Sequence, residues 1–143
     1  MKVRLERRYR FSASHLYRRS EWSEEENRAR FGKCANLPGH GHNYRLYVTV
    51  RGEIDPASGF VVDLGALDAL VTGRVVERLD HQHLNFALPE FGPGGKIPSS
   101  ESLLEWMRGE IAGAIAGLAG NSELVKLRLE EDEDLAAEWW AGE

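Results

Sequence analysis

The stretch Cys34-Ala35-Asn36-Leu37-Pro38-Gly39-His40-Gly41-His42-Asn43-Tyr44 contains the chain's one cysteine and two of its five histidines. Directly after it, Tyr44, Leu46, Val48 and Val50 alternate with Arg45, Tyr47, Thr49 and Arg51, the period of a half-buried strand. His40 and His42 are two apart at the head of that strand, so both imidazoles point to one side of the sheet, and Gly41 adds no bulk between them. Neutral imidazole is the commonest metal ligand, so this pair is the start of a metal site. A catalytic ion that keeps one position open takes three protein ligands. His15, in Phe11-Ser12-Ala13-Ser14-His15, is the third candidate.

Cys34 lies in the same loop, beside Lys33. Three chemistries suit a cysteine there. It can be a thiolate base or nucleophile, its pKa lowered by a nearby cation or imidazole. It can be a fourth ligand closing a structural zinc site. It can also be a small buried apolar residue. Farther on, Asp80-His81 places a carboxylate beside an imidazole, the pairing that orients and stabilises an imidazolium in acid–base relays. His83 has no assignment. Ser99, Ser100 and Glu101 are accounted for as a helix cap, and Glu130 as an exposed strand residue.

The elements that must position these groups follow from periodicity. Residues 2–12 alternate as a strand, with Val3, Leu5, Arg7, Tyr9 and Phe11 on one side. If this strand pairs with the one beginning at residue 43, His15 comes beside His40 and His42. Between the two strands, Ser20 is placed to cap a short helix through Glu24-Glu25-Glu26. Leu64, Leu67, Leu70, Val71, Val75 and Leu79 recur at helical spacing, predicting a helix over 64–78 with Asp63 as its cap. Residues 86–97 read as a loop because Pro89, Pro93, Gly92, Gly94 and Gly95 interrupt regular structure. A second helix opens at Pro98-Ser99-Ser100-Glu101 and ends near Gly117. Val125, Leu127 and Leu129 alternate with Lys126, Arg128 and Glu130 as a third strand, and residues 135–140 form a fourth. The order ββααββ with hairpin connections implies an α+β fold: a four-stranded antiparallel sheet with two helices on one face.

At 143 residues the chain is expected to be a single domain, 1–143, with a substantial core. A net charge of −5 offers no basic footprint for nucleic acid. One cysteine rules out an internal disulfide framework and favours a reducing compartment. No apolar run of spanning length and no secretory leader pattern occurs, so a cytoplasmic protein without membrane partners is expected.

Taken together, these motifs resemble the 6-pyruvoyl tetrahydropterin synthase family over nearly the whole chain. Phe11–His15 resembles the family's first zinc motif, and Phe31-Gly32-Lys33-Cys34 with Gly39–Tyr44 its cysteine and zinc segment. Gly52–Pro56 with Gly59–Leu64 resembles the turn before its first helix, Leu79-Asp80-His81 with Leu84-Asn85 its Asp-His motif, and Pro98–Glu101 its second helix start. The resemblance implies the tunnelling fold (T-fold), with subunits joined through their sheets into a ring, usually a homohexamer of two stacked trimers. It implies zinc on His15, His40 and His42, Cys34 as the proton-abstracting base, and Asp80 and His81 as its relay, reaching over from a neighbouring subunit. It also implies that Glu130 grips the pterin ring, assisted by the segment Ser99, Ser100 and Glu101. Glu131 stands where the family commonly has threonine.

The activity so implied is that of a lyase eliminating triphosphate from 7,8-dihydroneopterin triphosphate to give 6-pyruvoyl tetrahydropterin, in tetrahydrobiopterin-type biosynthesis. The alternatives are a 6-carboxytetrahydropterin synthase of deazapurine (queuosine) biosynthesis and a non-catalytic zinc- or pterin-binding protein. The six-residue step from Cys34 to His40 resembles the pyruvoyl-forming enzymes. Arg18, Arg19, Arg28 and Lys33 are cations close enough in sequence to meet a triphosphate.

Overall fold

The computed structural model describes residues 1–142. In chain order the elements are β1 (Lys2–His15), α1 (Glu24–Phe31), a 3-10 turn (Gly32–Ala35) and β2 (His40–Glu53). There follow α2 (Leu64–Val71), a π turn (Thr72–Val76), α3 (Glu77–Leu79), β3 (Gln82–His83) and α4 (Leu84–Ala87). A 3-10 turn (Pro89–Phe91), α5 (Ser100–Ala116), β4 (Glu123–Glu130) and β5 (Ala136–Trp140) complete the chain.

β1 and β2 pair antiparallel along their full length, from Lys2 opposite Glu53 to His15 opposite His40. β4 adds to the far side of β2 and β5 to β4, both antiparallel. Strand alternation divides the sheet cleanly. Tyr9, Phe11, Ala13, Tyr44, Leu46, Val48, Leu127 and Leu129 are buried on one face. Against them α2, α3 and α5 lay Leu67, Val71, Leu79, Leu103, Met107, Ile111 and Ile115, which together make one core. The other face carries charge, knitted by Arg51–Glu123 at 2.7 Å, Arg128–Glu138 at 2.9 Å and Arg45–Glu130 at 3.1 Å.

Several sequence expectations need correction. The described sheet has five strands, in the order β3-β1-β2-β4-β5, rather than four. The extra strand is only two residues long, too short to show a period, and runs parallel to Ala13 and Ser14 at the β1 edge. Hydrogen bonds just before it hold it there: the Ser12 N–H donates to Asp80 Oδ1 at 2.9 Å and the His81 N–H to the Ser12 carbonyl at 2.6 Å. The first long helix runs to Leu79 through a π turn containing Gly73, and short helical turns interrupt the expected 86–97 loop. α1 is capped by Ser23, whose hydroxyl accepts the Glu26 N–H at 3.1 Å, and not by Ser20, because the cap must immediately precede the first turn. The caps at Asp63 and Ser99 are as expected.

One polar cluster fastens α2 to β1. Arg7 donates to both Asp68 oxygens, at 3.0 and 2.8 Å, and Tyr9 Oη donates to Asp68 Oδ1 at 2.8 Å. The Arg7 hydrogen bonds, with help from Tyr9, hold the Asp68 carboxyl below its ordinary 3.8. A carboxyl with a depressed folded-state pKa adds stability above its unfolded pKa and loses it as pH falls through the folded one. Asp68→Asn is therefore expected to lower the urea midpoint modestly at pH 7, with the gap to wild type closing below about pH 3.8. A gap that persists unchanged to pH 2.5 would show that the carboxylate charge plays no part.

Candidate active site

The β1–β2 register builds the first part of the site. It sets His15 directly opposite His40, and His42 opposite Ala13. All three imidazoles converge on the helix-covered side at one end of the sheet, with one ring nitrogen from each within 4.8 Å of the others. His15 Nε2 lies 3.2 Å from His40 Nε2, and the rings meet edge-on with centroids 4.8–4.9 Å apart.

His15 is fully buried and its pKa falls to about 3, chiefly through burial and then through the charges of His42 and His40. It is therefore neutral near pH 7. Its Nδ1 lies 3.0 Å from Tyr44 Oη, which leaves Nε2 to face the other imidazoles. Such an outer hydrogen bond orients a metal-ligating histidine. His42 Nε2 is buried with no hydrogen-bond partner in the protein. Three convergent imidazoles, one with an orphaned buried nitrogen, fit a divalent cation with room for a further ligand.

The loop into β2 is held close. Gly39 has φ +119°, and any side chain there would overlap the His15 carbonyl. His83 Nε2 donates to the Pro38 carbonyl at 3.0 Å, so the residue left without assignment pins the segment between Cys34 and His40.

Cys34 sits in the 3-10 turn, half-buried, and its carbonyl accepts the Tyr17 N–H at 2.9 Å. It does not belong to the cluster of convergent metal-binding atoms. The expected lowering of its pKa is not found within the chain. Burial pushes the thiol up and the Glu131 charge pushes it further, while the neighbouring Lys33 is exposed to solvent.

Glu130 is the clearest displacement from expectation. Its carboxylate lies on the charged face, bonded to Arg45 at 3.1 Å and 3.5 Å from Arg128. The next residue enters the site instead. Glu131 is buried, with Oε1 3.4 Å from Tyr17 Oη, 3.7 Å from His15 Nε2 and 3.8 Å from His42 Nε2. Strand parity accounts for this: Leu127, Leu129 and Glu131 share the core side, and Lys126, Arg128 and Glu130 the other. The signal was present in the alternation of the sequence.

Pro98, just before the α5 cap, lies beside the His15 ring. Ser99 caps the helix, accepting the Ser102 N–H at 3.2 Å. Ser100 is buried with an unpartnered hydroxyl, and Glu101 is exposed but close enough for its charge to act on Tyr17. Asp80 and His81 lie elsewhere. Asp80 Oδ2 is 3.0 Å from His81 Nδ1, and the Ser12 N–H, then His81, hold the Asp80 carboxyl low. The His81 side chain is 83% exposed, on a backbone with φ +59° that L residues rarely adopt. Among the described residues no hydrogen bond or ion pair joins either one to Cys34.

Comparison with known proteins places this arrangement. The family model described as 6-pyruvoyl tetrahydropterin synthase matches residues 4–141. A human 6-pyruvoyl tetrahydrobiopterin synthase is 46% identical over 62% of this chain, and the matched region spans 61% of that relative's length. The dihydroneopterin monophosphate aldolase of Pyrococcus furiosus is 31% identical, over 96% of this chain and 97% of its own. The solved structure of Caenorhabditis elegans 6-pyruvoyl tetrahydropterin synthase superposes with a TM-score of 0.87 at 32% identity, covering 99% of this chain and 97% of that one.

Metal analysis of the purified protein is expected to find about one divalent ion per chain. Removing any of the three imidazoles (His15→Ala, His40→Ala or His42→Ala) should abolish tight binding. Tyr44→Phe should weaken it by roughly 10-fold, the scale of an outer-sphere loss. Cys34→Ala should keep a full complement; loss of the ion from that variant would make the sulfur a ligand.

Proposed function

The chain belongs to the 6-pyruvoyl tetrahydropterin synthase family, and on that premise we propose that it is a zinc-dependent lyase converting 7,8-dihydroneopterin triphosphate to 6-pyruvoyl tetrahydropterin. The observation that carries this reading is the convergence of His15, His40 and His42 beside a buried carboxylate and a half-buried thiol. His15, His40 and His42 hold the zinc. When bound, zinc acts as a Lewis acid toward the side-chain oxygens of the pterin, making the adjacent C–H bonds more acidic.

Every other part of the chemistry falls to the protein's own side chains. Glu131 takes the role expected of Glu130: a buried carboxylate accepts the paired N–H donors of a 2-amino-4-oxo ring much as it accepts a guanidinium. Ser99, Ser100 and Glu101 border the same space. Cys34 Sγ removes a proton from a side-chain carbon. Burial and the Glu131 charge raise that thiol's pKa, and a positive charge beside it, the bound zinc included, would favour the thiolate that acts as a base. His81, oriented by Asp80, completes the relay from an adjacent subunit. Its exposure and lack of contact with Cys34 of the same chain support an action in trans. The working form is then a ring-shaped homo-oligomer, a hexamer of two stacked trimers, in the cytoplasm.

A second reading has support from the archaeal aldolase, matched over nearly its whole length: cleavage of a pterin monophosphate between side-chain carbons. Mass analysis of products from the zinc-loaded protein separates the cases. Pyruvoyl tetrahydropterin with free triphosphate and no acetaldehyde is expected. A carboxy product with acetaldehyde would move the protein to deazapurine synthesis, and turnover of the monophosphate alone would make it an aldolase. His81→Ala should retain zinc and lose roughly 100-fold or more of turnover. Mixed refolding of Cys34→Ala with His81→Ala subunits should recover activity that neither has alone. No recovery would place both groups in one subunit's site.

A further inference from the structure

The lyase reading leaves the phosphate chain of the substrate without a holder. The cations nearest Cys34 in sequence do not provide one. Arg18 is bonded to Glu24 and to the Ala35 carbonyl, and Arg19 to Glu21 and the Gly95 carbonyl. Arg28 and Lys33 are exposed singly.

On the charged face of the sheet, Arg8, Arg10 and Arg45 line one cavity of about 470 Å³ with Ser12, Asn43 and Asp80. Arg10 stands directly opposite Arg45 in the β1–β2 register. Like charges opposite one another in an antiparallel pair cost stability. Glu130 compensates Arg45, and shares itself with Arg128, while the Arg8 and Arg10 side chains have no ion pair or hydrogen bond among the described residues. The paired neighbours Arg51 and Arg128 make the contrast, as does the chain's net charge of −5. Of the other polar groups, Asn43 is disposed toward an anion, while Asp80 is a carboxylate already engaged by the protein's own donors. Ser12 Oγ donates to Asn43 Oδ1 at 2.7 Å, leaving the Asn43 N–H donors free. The Asp80 oxygens are occupied by the Ser12 N–H at 2.9 Å and the His81 ring at 3.0 Å. Guanidinium forks match phosphoryl oxygens in pairs, which a single ammonium does not.

We propose that Arg8, Arg10 and Arg45 form a phosphoryl-anion site, which takes the phosphate chain of the pterin substrate. The subunit that reaches over with Asp80 and His81 thereby also grips the leaving group. The site itself stands on the arginine geometry, and only its assignment to the substrate rests on the lyase reading.

Pyrophosphate is the probe. It is titrated calorimetrically into the zinc-loaded protein, and bound zinc is assayed before and after to exclude chelation. The Arg8→Gln/Arg10→Gln double variant should bind pyrophosphate roughly 10-fold more weakly or worse, with zinc content unchanged. Arg10→Gln alone should leave the ligand-free thermal midpoint unchanged or raised, because it removes the opposed charge. Equal pyrophosphate affinity in wild type and double variant would overturn the site. In turnover, pyrophosphate should compete with the triphosphate substrate, and the double variant should raise KM proportionally more than it lowers kcat. Inhibition that depends on the arginines but is not competitive would overturn the substrate assignment and leave a free phosphate as the ligand. Because calorimetry needs no turnover, the site remains testable if the lyase reading fails.

Discussion

The register between β1 and β2 is the constraint on which the rest depends. Fourteen backbone pairings, from Lys2–Glu53 to His15–His40, fix which side chains share a face and which meet at the strand ends. A slip of one residue would send the imidazoles of His40 and His42 to the charged face and bury the arginines in their place. The core residues enforce the observed register, since Phe11 stacks on Tyr44 at 4.8 Å and Tyr9 stands opposite Leu46. Hydrophobic packing in the middle of the hairpin thus pays for placing three imidazoles at its end.

The sheet also separates two electrostatic environments by the thickness of one backbone layer. On the helix-covered side, low polarity holds His15 neutral and raises the Tyr17, Cys34 and Tyr44 hydroxyls and thiol above their ordinary values. That suits cation binding and general-base chemistry once a positive charge arrives. On the open side, guanidinium groups and carboxylates pair in water, and the few arginines left over face a shared cavity. Consecutive residues such as Glu130 and Glu131 belong to different chemistries because strand geometry turns them in opposite directions.

The candidate groups lie in two separate places on the chain. The histidines, Glu131 and Cys34 gather at the end of the β1–β2 pair, while Asp80 and His81 sit at the β3 edge with the His81 ring almost fully exposed. The strained φ of His81 is maintained by its N–H bond to Ser12 and by Asp80, so the fold spends backbone conformational energy to present that ring outward. The proposed ring of subunits gives that presentation a purpose.

Much of this was legible in the sequence. The long strands, the helices capped by Asp63 and Ser99, and the shared face of His40 and His42 follow from local period and spacing, because each is set by residues two to four apart; His15 joins that pair only through the β1–β2 register. The face of Glu131 was legible by the same rule, since its parity is that of Leu127 and Leu129. Tertiary structure alone decided the rest. The two-residue β3 has no period of its own and exists through its hydrogen bonds to Ser12, 68 residues away. The Pro38–His83 bond and the rise in the Cys34 pKa likewise depend on long-range neighbours. Periodicity reports what a residue does to its own segment; burial, charge and hydrogen bonding at a site depend on which distant segments the fold brings against it.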